Sequence, residues 1–144
     1  MYFIAEIKKL YDDSLIPTRG SDAAAGYDLY AHEDATIQPS ETVKIGTGVA
    51  ITPPGGTFGA VFARSGLATK QGLRPANAVG VCDEDYTGEY IVALHNDSKE
   101  VRTISKGDRI AQLVFIPYIN ATFSQVNELN PTTRGHGGFG STGE

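Results

Sequence analysis

Residues 42–63 read TVKIGTGVAIT-PPGG-TFGAVFA, which is two β-type stretches on either side of a turn. The stretch at 42–52 carries β-branched residues in partial alternation, and residues 57–63 form a second such stretch after the Pro-Gly turn. Short runs of this kind, bounded by Pro and Gly, are typical of antiparallel strands. The segment therefore predicts strand, turn and strand, and it directs the whole chain toward the all-β class.

The rest of the chain fits the same class. Residues 90–95 (YIVALH) and 109–118 (RIAQLVFIPY) are predicted to be buried strands, and residues 122–126 a short alternating one. Short strands in a chain with 17 Gly and 7 Pro predict an antiparallel sandwich or jelly roll. Residues 65–71 (SGLATKQ) are the exception, because they predict two helical turns that begin near Ser65 and stop at Gly72.

Composition limits the kind of protein this can be. A chain of 144 residues, 40% hydrophobic and 20% charged, is typical of one globular domain. No apolar run approaches the ~20 residues that a membrane span needs. The net charge of −5 argues against a nucleic-acid polymer as partner. The single cysteine, Cys82, excludes an internal disulfide and fits a reducing compartment, so we expect a cytoplasmic protein. Since no apolar run is long enough to span a bilayer, we expect no membrane partner.

Residues 63–67 (ARSGL) place Arg and Ser where a strand leads into the predicted helix. Backbone N–H groups at a helix start and a guanidinium fork together bind phosphate oxygens. The segment is either a phosphate-binding turn or an ordinary capped turn with a surface arginine.

Residues 77–88 (NAVGVCDEDYTG) crowd three carboxylates together after an apolar lead-in. Such acids can supply a general base or bind magnesium through water. The turn that follows predicts a hairpin with Tyr86 at its tip. The alternative is an acidic hairpin that serves solubility alone.

Residues 134–144 (RGHGGFGSTGE) contain five glycines and cannot form a core of their own. The segment is either a disordered tail or a strip that folds over a nucleotide through its Arg and Phe. Asp28 and Gln112 are weaker candidates, because each has an equally plausible structural role. No phosphate-binding loop of the G-x-x-x-x-G-K-[ST] type is present.

Taken in order, five segments resemble the five motifs of the trimeric dUTPase family. They are residues 25–29 (AGYDL), 63–67 (ARSGL), 80–88 (GVCDEDYTG), 107–113 (GDRIAQL) and 134–143 (RGHGGFGSTG). The resemblance implies a jelly-roll domain over residues 1–133 and a flexible arm over residues 134–144. It also implies a homotrimer in which each site draws on all three chains and the arm of one subunit closes a neighbour's site.

The implied reaction is hydrolysis of dUTP to dUMP and pyrophosphate, with Mg²⁺ as cofactor. Asp83 resembles the general base that activates a water for in-line attack on the α-phosphorus. Asp28 matches the acid that is associated with the metal through water.

The resemblance also assigns substrate contacts. Those to the α- and β-phosphates fall on Arg64, Ser65, Gly66 and Gln112, and those to the uracil edge on Asn77, Gly80, Val81 and Ile91. Tyr86 would stack beneath the deoxyribose and leave no room for a 2′-hydroxyl. The arm would contribute Arg134 to the γ-phosphate, Phe139 to the base, and Gly140, Ser141 and Thr142 to phosphate oxygens.

This chain departs from the family pattern at few positions. Cys82 stands where aliphatic residues are common, and His136 fills a variable position. Tyr90 and Ile91 are larger than the residues of several relatives.

Two other functions are alternatives to dUTP hydrolysis alone. dCTP deaminase resembles dUTPase in fold, but the pattern around Asp83 is that of the hydrolase. A phage-type regulatory dUTPase would also bind a protein partner. Relatives of that kind often carry an insert between the fourth and fifth motifs, whereas residues 116–133 are short here, which argues against this alternative without excluding it.

Overall fold

The computed structural model describes residues 3–143, so Met1 and Tyr2 of the predicted domain and Glu144 of the predicted arm lie outside the described part. Ten strands and one short helix are present in it. The strands are β1 (Glu6–Lys9), β2 (Tyr27–Tyr30), β3 (Ala35–Ile37), β4 (Thr42–Thr52), β5 (Thr57–Phe62), β6 (Leu73–Pro75), β7 (Gly80–Cys82), β8 (Glu89–Asn96), β9 (Arg102–Ile104) and β10 (Arg109–Pro117). The all-β class with one helix is confirmed.

Two four-stranded sheets form the domain. One has the order β1-β4-β8-β6 and the other β2-β10-β5-β7, while β3 and β9 form a separate pair. Every pairing is antiparallel. The core lies between the two large sheets, because its fully buried side chains come from both, as Leu94 of β8 and Leu113 of β10 show. Each such burial stabilises the fold by about 1.5–3 kcal/mol.

Most predicted strands are observed. The strand at 42–52 has the predicted ends, and β5, β8 and β10 agree with the predictions to within a residue. The prediction of a strand at 122–126 is wrong, since no regular element follows β10 among the described residues. The side chain of Phe123 there is 99% exposed. Alternation alone does not make a strand, because the backbone groups of a strand need a neighbouring strand to pair with.

The predicted helix is also present. Its regular part, Leu67–Gln71, is a single π-type turn that ends at Gly72 with φ of 69°, a left-handed conformation that glycine adopts without strain. Ser65 lies one residue before the N-cap position, Gly66, and no side chain caps the helix. The carbonyl of Ser65 instead accepts a 2.7 Å hydrogen bond from Thr69 Oγ1.

The segment after β10 makes few contacts with the domain. Residues 134–143 form a series of tight turns, among them hydrogen bonds from Gly137 N to Arg134 O (3.1 Å) and from Ser141 N to Gly138 O (3.0 Å). Within residues 3–143, no helix has both the length and the apolar character of a membrane-spanning helix.

Candidate active site

The first cluster of predicted site residues lies across β2, β10 and the end of β5. Strand register puts Gln112 of β10 opposite Asp28 of β2 on one side and Phe62 of β5 on the other. Arg64 follows β5 directly and donates a hydrogen bond from Nε to Asp28 Oδ1 at 3.1 Å. Both side chains are less than a third exposed, so solvent screens this ion pair only in part.

Arg109 completes this cluster, although the sequence did not single it out. Its Nη1 lies 3.6 Å from Asp28 Oδ2, so two guanidinium groups face one carboxylate. Such an arrangement leaves net positive charge beside Asp28 and suits the oxygens of a polyphosphate. The available signal was the position of Arg109 in the segment 107–113 beside Gln112.

Gln112 has an observed structural role. Its Nε2 donates a 2.8 Å hydrogen bond to the carbonyl of Ala63, which fixes the strand end that carries Arg64. On the other side, a Cβ atom at Gly26 would lie only 2.4 Å from Gln112 Oε1. Glycine at 26 therefore makes room for the side chain. Ser65 and Gly66 lie exposed at the helix start beside Arg64, and contact of these residues with a ligand stays a prediction.

The second cluster surrounds a cavity of about 270 Å³ between β7 and β8. Six of the predicted site residues line it together with Cys82 and a few core residues; the six are Asn77, Gly80, Val81, Asp83, Tyr86 and Ile91. The cavity thus combines an amide, a carboxylate, an aromatic ring and backbone groups of a short strand. This is the composition expected of a small-molecule site with a few convergent polar groups.

The turn that carries Asp83 and Tyr86 differs from the predicted hairpin. β7 pairs with β5 in one sheet and β8 pairs with β4 and β6 in the other, so residues 83–88 cross between the sheets. The hairpin prediction is wrong because pairing of these strands with distant partners prevails over the local turn signal. Tyr86 N donates to Asp83 O at 3.2 Å, which makes the crossover compact.

Tyr86 is held in place at the hydroxyl end of its side chain. Its hydroxyl donates a 2.8 Å hydrogen bond to the carbonyl of Glu89. A Cβ atom at Gly88 would lie 2.5 Å from the Tyr86 hydroxyl oxygen, so only glycine leaves the ring where it is. The ring remains 44% exposed and lines the cavity.

The three neighbouring carboxylates, Asp83, Glu84 and Asp85, differ in their contacts. Glu84 accepts hydrogen bonds from Gly56 N (3.2 Å) and from the Tyr118 hydroxyl (2.8 Å), and the second of these raises the pKa of Tyr118 above its ordinary value. Asp83 alone of the three lines the 270 Å³ cavity. Across residues 3–143, no three His, Cys, Asp or Glu side chains are grouped as a metal cage would require.

Behind the cavity lies a residue that the sequence did not assign to the site. Tyr90 of β8 is only 2% exposed, and its ring lies 6.4 Å from that of Tyr86 at an angle of 28°. Burial raises the pKa of Tyr90, and burial likewise raises the pKa of the neighbouring Cys82 thiol. The sequence showed Tyr90 as a residue of a predicted buried strand that is larger than its counterparts in several relatives.

A single chain does not bring all the predicted site residues together. None of the first cluster lines the 270 Å³ cavity. The arm residues Arg134, Phe139, Gly140, Ser141 and Thr142 do not line it either. Phe139 is fully exposed, and Arg134 Nε donates to Gly137 O at 2.7 Å within the arm itself.

Comparison with known proteins gives a consistent result. The dUTPase family model matches residues 12–143. The deoxyuridine 5'-triphosphate nucleotidohydrolase of Desulfitobacterium hafniense (strain DSM 10664 / DCB-2) is 50% identical over 131 residues, which cover 89% of this chain and 87% of that protein. The enzyme of the same name from Paramecium bursaria Chlorella virus 1 is 43% identical, with 95% and 96% covered.

Solved structures show the same fold. The dUTPase of Staphylococcus bacteriophage 80alpha, solved with dUPNHPP, superposes with a TM-score of 0.89 at 30% identity over 98% of this chain and 99% of that one. A variant dUTPase from phage phi11 of S. aureus, reported for its coordination of a structural Mg(II) ion, gives a TM-score of 0.82 at 25% identity, with 89% and 99% covered. With the observed sheets, this likeness confirms the jelly-roll prediction.

Proposed function

The chain belongs to the dUTPase family, and from that membership we propose how it hydrolyses dUTP to dUMP and pyrophosphate. The observation that carries the proposal is the 270 Å³ cavity, which places Asp83 beside Asn77 and Tyr86. An amide that can pair with a base edge, a ring that can stack on a sugar and a carboxylate that can take a proton meet there. These are the three groups that this reaction needs at the nucleoside end.

In the proposed mechanism Asp83 is the general base. Its carboxylate accepts a proton from a water as that water attacks the α-phosphorus in line with the leaving pyrophosphate. The partners of Glu84 support this choice, since its carboxylate is engaged by Gly56 and Tyr118 while Asp83 faces the cavity.

Uracil and deoxyribose are bound by the walls of the same cavity. Asn77 and backbone groups of Gly80, Val81 and Ile91 read the uracil edge. Tyr86 supports the deoxyribose from below, and its fixed ring excludes a 2′-hydroxyl. The cavity is small, because core residues of β5 and β8 close its inner wall.

The triphosphate is held by the first cluster and the arm. Arg64 and Gln112 contact α- and β-phosphate oxygens with Ser65 and Gly66, and Arg134 binds the γ-phosphate. A magnesium ion, when bound, offsets the charge of the three phosphates. Asp28 would hold it through water, which fits a single carboxylate without acidic neighbours among residues 3–143 to complete a metal cage, because Mg²⁺ keeps several waters and is bound mainly by substrate phosphates.

We propose a homotrimer for two reasons. The two clusters of site residues lie apart within one chain, and apolar side chains that a neighbouring subunit could cover are exposed. Large apolar side chains after β10 are exposed: Ile119 is 90%, Phe123 99% and Leu129 86% exposed. The same chain offers a mainly apolar groove of about 510 Å³ between its first strand and β10. Exposed apolar surface of this extent is typical of protein interfaces.

In the proposed trimer, the domain at residues 1–133 forms the site and the arm at residues 134–144 closes it. The arm of one subunit closes over a neighbour's site, with Phe139 on the base and Gly140, Ser141 and Thr142 on phosphate oxygens. Its present contacts are local turns, so it is ordered mainly when nucleotide is bound. We place the enzyme in the cytoplasm, where a reducing pool keeps Cys82 as a thiol.

The test is pyrophosphate release, measured with magnesium from dUTP, dTTP, dCTP and UTP. Rapid release from dUTP alone is expected for the wild type and loss of it for Asp83→Asn. A folded wild-type protein that releases no pyrophosphate from dUTP would contradict the proposal.

A second candidate function, binding of a protein partner, is favoured by one observation. Structures with the same fold include that of the phage 80alpha enzyme, reported in a study of phage dUTPases that control transfer of virulence genes. Catalysis and such binding are compatible. A pull-down with the catalytically inactive Asp83→Asn protein separates the two activities.

A further inference from the structure

Tyr90 has a buried hydroxyl that the proposed mechanism leaves unused. Its side chain is 2% exposed, and its hydroxyl is paired with no nitrogen or oxygen within residues 3–143. The Cys82 thiol, a weak hydrogen-bonding group, lies beside the hydroxyl. The surrounding contacts therefore concern the position of the ring.

The space for this ring is made by a glycine on the opposite sheet. A Cβ atom at Gly59 of β5 would lie 2.8 Å from the Tyr90 hydroxyl oxygen and 3.4 Å from Cys82 Cβ. The Tyr90 side chain thus reaches from β8 across the core to the strand pair β5–β7, ending beside Cys82. Cys82 immediately precedes Asp83, so Tyr90 supports the start of the crossover at 83–88.

The ring of Tyr90 also supports the far side of the crossover. It lies 6.4 Å from the ring of Tyr86 at 28°, on the buried side of a residue that is itself 44% exposed. The hydroxyl of Tyr86 is tied to the carbonyl of Glu89, the residue next to Tyr90. The orientation of the Tyr86 ring and the hydrogen bond of its hydroxyl consequently both depend on where β8 places residues 89 and 90.

We propose that Tyr90 is a positioning residue for sugar discrimination. Its ring holds the ring of Tyr86 in the position that admits deoxyribose and excludes ribose. The inference rests on the proposed placement of Tyr86 beneath the deoxyribose. Tyr90 does not line the cavity and acts only through Tyr86. The hydroxyl of Tyr90 reaches the opposite sheet, whereas the face of its ring determines the position of Tyr86.

The experiment compares kcat/KM for dUTP with kcat/KM for UTP in the wild type, Tyr90→Leu and Tyr90→Phe. In Tyr90→Leu we expect the dUTP-over-UTP ratio to fall about tenfold, since displacement of a positioning contact by about 1 Å can cost up to about 100-fold. The change should be mainly a lower KM for UTP, because a displaced Tyr86 no longer excludes the 2′-hydroxyl, while Asp83 and its water are untouched. Tyr90→Phe keeps the ring and should restore the ratio.

Leu94→Ala is the matched control. Leu94 lies on β8, is fully buried like Tyr90, and packs in the core without lining the cavity. Its truncation should lower the melting temperature and leave the dUTP-over-UTP ratio unchanged. If Tyr90→Leu does not fold, Tyr90→Met, which fills more of the space, gives the same comparison.

An unchanged ratio in a folded Tyr90→Leu or Tyr90→Met protein would overturn the inference. So would an equal loss in Tyr90→Phe, which would assign the effect to the hydroxyl, or an equal loss in Leu94→Ala, which would assign it to core stability. The wild type tests the proposed function separately. If the wild type does not hydrolyse dUTP, the proposed function is wrong. If the wild type hydrolyses dUTP and the ratio is unchanged in the variants, only the role of Tyr90 is wrong.

Discussion

Arg64 Nε donates a hydrogen bond to Asp28 Oδ1 at 3.1 Å, so the cation proposed to hold phosphate is paired with the carboxylate proposed to hold magnesium. In the proposed function, binding of a magnesium–nucleotide complex would redistribute this pair, with Arg64 turning toward phosphate oxygens. Arg109 Nη1 lies 3.6 Å from the other carboxylate oxygen of Asp28, so a second guanidinium faces the same carboxylate. In the proposed function, the pair would therefore couple metal binding to phosphate binding.

From this coupling we predict that Asp28→Asn raises the magnesium concentration needed for half-maximal activity by about 10- to 100-fold, the usual effect of losing an outer-sphere partner. A magnesium titration of the initial rate measures it. Asp97→Asn is the control, because Asp97 forms a similar pair with Arg74 (2.6 Å) outside both clusters. An unshifted titration for Asp28→Asn would remove Asp28 from the metal site.

Asp83→Asn should bind nucleotide and lose turnover. General-base catalysis contributes about 10²–10⁴-fold, so kcat should fall by that factor. Single-turnover kinetics and calorimetry with a non-hydrolysable analogue measure the two properties separately. Asp85→Asn serves as control, since Asp85 does not line the 270 Å³ cavity. A fall in kcat of less than about tenfold would mean that another group is the base.

Deletion of residues 134–144 should leave a folded domain with poor kcat. The hydrogen bonds of residues 134–143 are local turns, so little of the domain's stability depends on them. Circular dichroism and thermal melting test the fold, and pyrophosphate release tests the activity. A deletion product that is unfolded would show that the arm is a structural element instead.

Phe139→Ala should weaken nucleotide binding by about 1–3 kcal/mol, by analogy with stacking of bases on aromatic side chains. In the isolated chain this ring is fully exposed, so its removal should not lower the melting temperature. Phe139→Tyr keeps a ring and should bind nearly as the wild type. Equal affinity and rate in Phe139→Ala would place the ring outside the site.

Cys82 should react slowly with alkylating reagents. Burial raises the pKa of its thiol, and the neighbouring carboxylate of Asp83 adds to the shift. Because the thiolate is the reactive form, the alkylation rate at pH 8 should be below that of a small free thiol and should keep rising above pH ~8.5, the ordinary pKa. Mass spectrometry of iodoacetamide-treated protein measures this rate, with Cys82→Ser as the blank. Reaction as fast as a free thiol would contradict the burial argument.

The strands of the domain were accessible from the sequence because they depend on local patterns. Alternation and Pro-Gly turns in residues 42–63 predicted β4 and β5, and Gly72 marked the end of the helix. The resemblance to the dUTPase motifs likewise named the candidate polar groups of the site, among them Asp83 in a carboxylate-rich turn. Each of these signals is contained within a few neighbouring residues.

Other features depend on partners far away in the chain, and only the tertiary structure decided them. Residues 122–126 alternate like a strand yet have none to pair with, and residues 83–88 cross between sheets because β7 and β8 pair with distant strands. Tyr90 could be assigned to the core by its strand. Its place beside Gly59 and Cys82 arises only when two sheets pack face to face, because side-chain neighbours across a core are set by that packing and by no local pattern.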